Sequence, residues 1–254
     1  MLTGTAAPVS AEDARQSVEV QEKKKSRFAW IGEFLFSPGS YFSGLRDRPV
    51  WLPAFLVAGT LSMVMTAGLL PFTVRGLQTS IPGTLTHIQA ATMMRQIELG
   101  KYLGVVLTPV LLLFKNAIGA VLITILLQLF IGRGDFKRAF ALVNHLAILS
   151  LLPLLQTIVV LYIRGVDSIR NPMDMAVPLG LNLFISSASP ALDTLLNSVN
   201  MYEALSVSFL IVGIRRLFRS SGVGAACVAA LYWSLATATV VSFSVLAHAL
   251  QPTP

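Results

Sequence analysis

The sequence predicts an all-α fold: a polytopic membrane helical bundle of five transmembrane helices with an N-terminal interfacial amphipathic helix. Of the 254 residues, 54% are hydrophobic and only 12% are charged, whereas about a quarter of the residues in a soluble domain are charged. The few charges are concentrated in gaps between long uncharged runs, which is typical of membrane-spanning chains. An aromatic stretch with a basic rim lies directly before the first of these runs.

This aromatic stretch, from Glu33 to Pro53, is named the collar. Ser37 followed by Pro38 predicts a helix start, because proline is favoured at the first helical position. Tyr41 and Phe42 then begin an apolar side of that helix, with serine and arginine around the other side. Such a segment suits the membrane–water interface, since its rings need an apolar surface and its arginines bind phosphates.

The end of the collar is marked by Pro49, Trp51 and Pro53. The prolines break the helix, and tryptophan is enriched at headgroup depth. The alternative is an ordinary amphipathic surface helix of a soluble domain. The collar is predicted to bind lipid headgroups or a partner protein. The residues predicted to do so are Phe36, Pro38, Tyr41, Phe42, Arg46, Arg48 and Trp51.

Residues 1–27 are polar and are predicted to form a disordered tail, because they cannot bury a core. Their basic run, Lys23 to Arg27, is either a partner site or, as we expect, an attachment to an anionic leaflet. No short apolar core follows a basic start there, so no secretory signal peptide is predicted. Residues 251–254 are predicted to be a second, short tail.

Residues 28–250 are predicted to form one membrane domain, because their apolar runs match the roughly 20 residues that cross a bilayer. Pro71 and Arg75 are predicted to end the first span. Pro109 is expected to kink the second span, unless that span tilts, and Pro153 to kink the third. The predicted spans are residues 52–74, 102–131, 139–163, 201–214 and 223–250.

The last span carries a small residue at every fourth position, which favours close helix–helix approach in lipid. The connector 75–101 contains a helix-like stretch from His87 to Leu99. The connector 164–200 ends in an apolar helical face suited to the interface. Residues 177–191 are either interfacial or a sixth span, and we favour five spans. The small residues are Ala226, Ala230, Ser234, Ala238 and Ser242, and the apolar face is Leu192, Leu195, Leu196 and Val199.

The orientation follows from the basic residues of the connectors. With five spans and the N-terminus in the cytoplasm, thirteen Lys and Arg residues lie inside and five outside, with Lys115 left within a span. A sixth span would move Arg215, Arg216 and Arg219 outside, which the positive-inside rule disfavours. The C-terminus is therefore predicted on the opposite side from the N-terminus.

Polar residues within the predicted spans are the strongest candidates for a functional site. Lys115 lies near the middle of the second run, where a charge costs about 2.5–3.5 kcal/mol on insertion scales. It is either an ion, lipid-headgroup or proton site, or a structural lysine that reaches the interface or loses its charge. Its candidate partners are Asn116, Asn144, His145 and Glu203. His145 is expected to be a satisfied structural histidine, because no ligand stands near it at metal-site spacing.

No catalytic residue, cofactor site or metal site is predicted, since no nucleotide-binding, zinc or nucleophile motif is present. The single Cys227 excludes an intrachain disulfide. The net charge of +7 is spread beside apolar runs, so lipid headgroups are expected as partners and nucleic acid is not. Gly100 and Gly104 form one G-x-x-x-G, which indicates either a homo-oligomer face or packing within the chain.

The collar resembles the segment before the first span in bacterial members of the Yip domain family. A second similar region covers residues 199–233, and the likeness extends over about residues 33–250. The chain departs from the family at two places: the triplet Tyr202-Glu203-Ala204 stands where the family more usually has an aromatic, a small residue and Trp, and Lys115 lies in mid-span. The matching residues are Phe34, Phe36, Pro38, Tyr41, Phe42, Leu45, Arg48, Pro49 and Trp51, then Asn200 to Glu203, Val212 to Ile214, and Trp233.

The resemblance implies a five-span, non-enzymatic membrane protein whose eukaryotic relatives associate with Rab GTPases. It also implies the bacterial cytoplasmic (inner) membrane as the location. The predicted function is to organise a membrane or partner proteins, with other membrane proteins as partners. The alternative is a small transporter, or an accessory subunit of an export complex, that uses a polar groove at Lys115.

Overall fold

The computed structural model describes residues 29–81, 86–185 and 189–249, with side chains of 247–249 left out. The predicted tails, 1–27 and 251–254, and the end of the last span at Leu250 therefore lie outside the described residues. Within them, the chain forms nine α-helices, three 3₁₀ turns and no strand. The helices are α1 (Ala29–Phe36), α2 (Pro38–Asp47), α3 (Leu52–Thr79), α4 (His87–Ile131), α5 (Phe136–Leu149), α6 (Leu151–Arg164), α7 (Pro190–Ser198), α8 (Met201–Leu217) and α9 (Gly222–Ala249).

The architecture is an all-α bundle of the membrane-spanning class, as predicted. In the described residues, four helical segments are long and apolar enough to cross a membrane. A fifth is added if α7 and α8, which meet at 56°, form one broken span. The predicted fourth span, 201–214, lies in α8. This helix is long and apolar enough to cross a membrane only when it is counted together with α7.

The helix of the first span is longer than the predicted span. The helix α2 begins at Pro38 after Ser37, and α3 begins at Leu52 after the proline-containing break, both as expected. However, α3 continues through Pro71 and Arg75 to Thr79, so these two residues do not end the helix. Proline is tolerated inside helices in lipid where the backbone groups that it frees are satisfied locally.

The second span merges with the helix-like stretch before it. Thr86 and Gln89 form a capping box at the start of α4, and Gly132, with a φ of 70°, ends it after 45 residues. Such a helix is about 67 Å long, more than twice the hydrocarbon thickness of a bilayer. The hydrocarbon layer therefore cannot hold both the polar first turns of α4 and its apolar part, unless the helix tilts steeply.

The third span is broken near its middle, three residues earlier than predicted. The helix α5 ends at Leu149 and α6 begins at Leu151, with Ser150 between them. Pro153 lies inside α6, and a proline ring clashes with the carbonyl four residues before it. That carbonyl belongs to Leu149, so the break falls before the proline and not at it.

The connector after α6 contains no sixth span among its described residues. Residues 177–185 hold only the 3₁₀ turn Leu181–Leu183. A small cluster of buried apolar side chains joins α3, α6 and this connector, through Phe72, Leu161, Ile169 and Val177. The connector thus closes one end of the bundle, which we name the far end.

The main core lies toward the other end, named the collar end because α1 and α2 pack there. It joins residues from α1, α2, α4, α5, α8 and α9. In α4 the buried residues begin at Asn116, so its first half contributes none. The bundle is therefore tightly packed at the collar end and more open along the first half of α4.

The small-residue face of α9 does not pack where it was expected to. Ala230, Ser234, Ala238 and Ser242 are exposed, and Ala226 is half-buried. The buried face is formed instead by Ala225, Val228 and Ala229. A four-residue repeat drifts around a helix of 3.6 residues per turn, so one packed face cannot include the whole repeat.

Candidate functional site

The collar is formed by two helices, α1 and α2, that pack on the bundle. Sequence reasoning missed α1, which runs from Ala29 to Phe36 and so begins four residues before the predicted stretch; from here on the collar includes the whole of α1. Trp30 and Phe34 stand four residues apart, a spacing that places both on one side of a helix and was the available signal. The helix α2 packs against α1 and α8, so the collar is part of the folded bundle.

An aromatic cluster holds the collar in place. The fully buried Phe34 ring lies 5.2 Å from Phe209 of α8 and 5.9 Å from Phe42 of α2, both edge-on. Trp30 lies edge-on to the His145 ring at 5.6 Å. Edge-to-face pairs of this kind are worth about 0.5–1.5 kcal/mol each beyond the area they bury. Ring packing therefore fixes both collar helices to α5 and α8.

His145 joins the collar to the bundle by a hydrogen bond. Its ring is buried, with Nδ1 2.7 Å from the Ala141 carbonyl oxygen and Nε2 2.6 Å from the Tyr41 hydroxyl. Because a carbonyl only accepts, Nδ1 donates to Ala141, and the Nε2 of a neutral ring accepts from Tyr41. Burial, with a smaller effect from the Glu33 carboxylate, raises the pKa of Tyr41 well above its ordinary value. The histidine is thus satisfied structurally, as expected.

The predicted binding residues of the collar differ widely in accessibility. Phe42 is fully buried against protein, which corrects the expectation that its ring faces lipid or a partner. Its side of α2 is covered because α1 and α8 pack on it. Trp51 is half-buried, with its ring 5.1 Å from Phe140. Phe36 is 87% exposed and Arg48 is also exposed.

The remaining collar residues lie between these extremes. Pro38 and Tyr41 are half-buried, and Arg46 is half-buried with its Nε 3.1 Å from an Asp47 carboxylate oxygen. Only part of the predicted surface therefore remains open to a ligand. The open part consists of Phe36, at the end of α1, and Arg48, just after α2.

A second candidate site is a cavity of about 270 Å³ between α4, α5, α8 and α9, named the Lys115 groove. Lys115 of α4 and Glu203 of α8 both line it, and the lysine charge acts on the carboxylate. These two described side chains do not form a direct ion pair. The groove is mostly apolar, with Tyr232, Trp233 and Thr237 of α9 along one wall.

The other predicted partners of Lys115 have partners of their own. The Asn116 amide nitrogen donates to the Asn144 side-chain oxygen at 3.0 Å, and Asn144 donates to the Phe140 carbonyl oxygen at 2.8 Å. Both asparagines are buried, where an amide pair across two helices satisfies polar groups that lipid would not. Of the predicted polar set, only Glu203 and Asn116 share the groove with Lys115.

Two further predicted features have no packing partner in the described chain. A side chain built at Gly100 or Gly104 would meet nothing within 4 Å, so packing within the chain does not explain this G-x-x-x-G. Cys227 is exposed on α9. Among the described residues, no three His, Cys, Asp or Glu side chains are grouped so as to hold a metal ion.

The fold and these two sites define the chain as a helical bundle of the integral membrane class. Neither a protein-family model, nor a curated protein, nor a solved structure matches it.

Proposed function

We propose that this chain is a non-enzymatic integral membrane protein of the Yip type, which organises a membrane or partner proteins from its collar end. The observation that supports this role is that the collar packs firmly on the bundle. We name this packed contact, which centres on Phe34, Phe42 and His145, the collar seat. Ring packing and the Tyr41–His145 hydrogen bond hold α1 and α2 against the bundle, while Phe36 and Arg48 remain exposed. An exposed aromatic ring on a firmly packed helix, in a collar that also exposes an arginine, is suited to bind a lipid surface or a protein.

We further propose that the collar end faces the cytoplasm of a bacterium. The collar, the turn after α4, the start of α5 and the turn after α8 supply basic residues around one cavity at this end. In a membrane protein, such residues are enriched on the cytoplasmic side. Attaching a reporter to each terminus in separate strains tests this orientation, and a C-terminal reporter on the cytoplasmic side would contradict it.

The organising role is tested by copurification in a mild detergent. Phe36→Ser should remove an associated membrane protein from the purified complex, because it replaces the exposed ring without disturbing the core. Val64→Ser is the matched control, since Val64 is 59% exposed on α3, away from the collar. Unchanged association in Phe36→Ser, or equal loss in both variants, would contradict a partner site at the collar.

A second candidate function is transport, which the Lys115 groove favours. A cation and a carboxylate that share a cavity without a direct ion pair can each bind part of a polar solute. The test is solute flux into liposomes that hold the purified chain. Flux that is lost in both Lys115→Leu and Glu203→Gln, but kept in Phe36→Ser, would favour transport over organisation. Absence of flux in the unmodified chain would contradict it.

A further inference from the structure

A cavity at the collar end collects four arginines. Its volume is about 530 Å³, and its lining is dominated by polar groups. The arginines come from four separate places in the chain: α2, the turn after α4, α5, and the turn between α8 and α9. They are Arg46, Arg133, Arg138 and Arg219. The fold thus brings together cations that are far apart in the sequence.

The positive charge of this cavity exceeds its negative charge. Only two carboxylates line it, Asp47 and Asp135. Arg46 lies 3.1 Å from Asp47, and Arg138 lies 3.4 Å from Asp135. In the described part of the chain, Arg133 and Arg219 form no ion pair. Two cations are therefore left uncompensated in one cavity, an arrangement that an anion would stabilise.

The surroundings of Asp47 show how closely the cations converge. A hydrogen bond from Arg46 is the largest cause that lowers the pKa of Asp47, and the charges of Arg219 and Arg138 lower it further. Three of the four guanidinium groups thus act on one carboxylate. The anionic centre of a ligand in the cavity would meet the same combined field.

Arg219 occupies an unusual backbone conformation. Its φ is 51°, the only positive φ among the described residues other than glycine. Glycine would adopt this conformation with less strain, but it would remove one of the two uncompensated cations. Glycine at this position would therefore stabilise the fold in the absence of ligand, but it would reduce the positive charge of the cavity.

We propose that this cavity, named the arginine pocket, binds a phosphate group. Guanidinium groups bind phosphate oxygens through paired hydrogen bonds, with a geometry that lysine does not supply. The volume is within the range of ligand pockets, about 300–1,000 Å³. The pocket lies beside Gly134, three residues after the apolar α4 ends at Ile131. This places it at headgroup depth, where basic pockets between helices bind anionic lipids. A lipid headgroup and a soluble phosphate share this chemistry.

The test uses the full chain, purified in detergent, and follows its thermal unfolding midpoint as a probe is added. The probes are short-chain phosphatidic acid, short-chain phosphatidylglycerol and inorganic phosphate, with short-chain phosphatidylcholine as the zwitterionic control. We expect a saturable rise in the midpoint with an anionic probe. If the two lipids raise it and inorganic phosphate does not, the ligand is a headgroup; if inorganic phosphate is sufficient, it is a soluble phosphate.

Variants separate the pocket from general charge effects. Arg219→Gly and Arg133→Gln should each weaken the apparent affinity about tenfold or more, as expected from the loss of a charge-assisted hydrogen bond. Arg219→Gly should keep or raise the midpoint without probe, because it relieves the backbone. The matched control is Lys137→Gln with Arg215→Gln, two exposed cations at the same end that do not line the pocket.

The proposal is overturned if no anionic probe gives a saturable rise. It is also overturned if phosphatidylcholine acts as well as the anionic probes, or if the control double variant loses as much affinity as Arg219→Gly. These readouts do not depend on flux or on a partner, so they are separate from the tests of the organising and transport roles.

Discussion

The collar seat and the Lys115 groove, two regions of one bundle, differ in how far their side chains are buried and paired. At the collar seat, Phe34 and Phe42 are fully buried and both ring nitrogens of His145 have hydrogen-bond partners. In the groove, Lys115 and Glu203 are exposed and share an open cavity without a direct ion pair. The seat therefore contributes to stability, whereas the groove leaves polar groups free to bind something else.

The largest effect is expected from breaking the seat. Phe42→Ala should lower the free energy of unfolding by about 3–5 kcal/mol, because it leaves a cavity among buried rings. Phe36→Ala, in the neighbouring helix, should change it by less than about 0.5 kcal/mol, since the Phe36 ring is 87% exposed. Chemical unfolding of the purified chain in mixed micelles measures both. Equal losses would show that the two rings are not packed differently.

A smaller effect is expected from removing one hydroxyl at the seat. Tyr41→Phe keeps the ring but leaves Nε2 of the buried His145 without its donor, which should cost about 1–3 kcal/mol. Tyr102→Phe is the matched control, because Tyr102 is 64% exposed on α4 and should lose almost nothing. The same unfolding measurement decides this, and an unchanged Tyr41→Phe would mean that the hydrogen bond contributes no net stability.

The smallest effect is expected in the groove. Lys115→Leu and Glu203→Gln should each change the unfolding free energy by no more than about 0.5 kcal/mol, because neither side chain is packed or directly paired. A double-mutant cycle of the two residues should give a coupling of about 0–1 kcal/mol. A coupling well above this range would show that the pair is structural and would remove the contrast with the seat.

Much of the fold was predictable because lipid imposes simple rules on a chain. Runs of uncharged residues indicated where the long helices lie, and Ser37-Pro38 indicated where α2 begins. The ends of helices were less predictable, because a proline alone does not show whether its helix continues, as at Pro71, or breaks before it, as near Pro153. Composition also gave no signal that the polar turns before Tyr102 continue directly into the apolar part of α4.

The sequence indicated single residues of the sites, but it did not indicate which of them are in contact. Sequence reasoning selected Tyr41 and His145 separately, and it offered His145 as a partner of Lys115. The pairing of Tyr41 with His145 joins residues 104 positions apart, which no local pattern reports. The same is true of the arginine pocket, whose four arginines come from four separate places in the chain.

The class of this protein follows from its composition, because its long apolar runs are unfavourable in water and its basic residues lie beside the ends of those runs. Which aromatic rings are buried, which polar groups are satisfied and where uncompensated charge collects became visible in the folded bundle. Hydropathy is a property of each segment, whereas burial, pairing and charge balance depend on which segments meet.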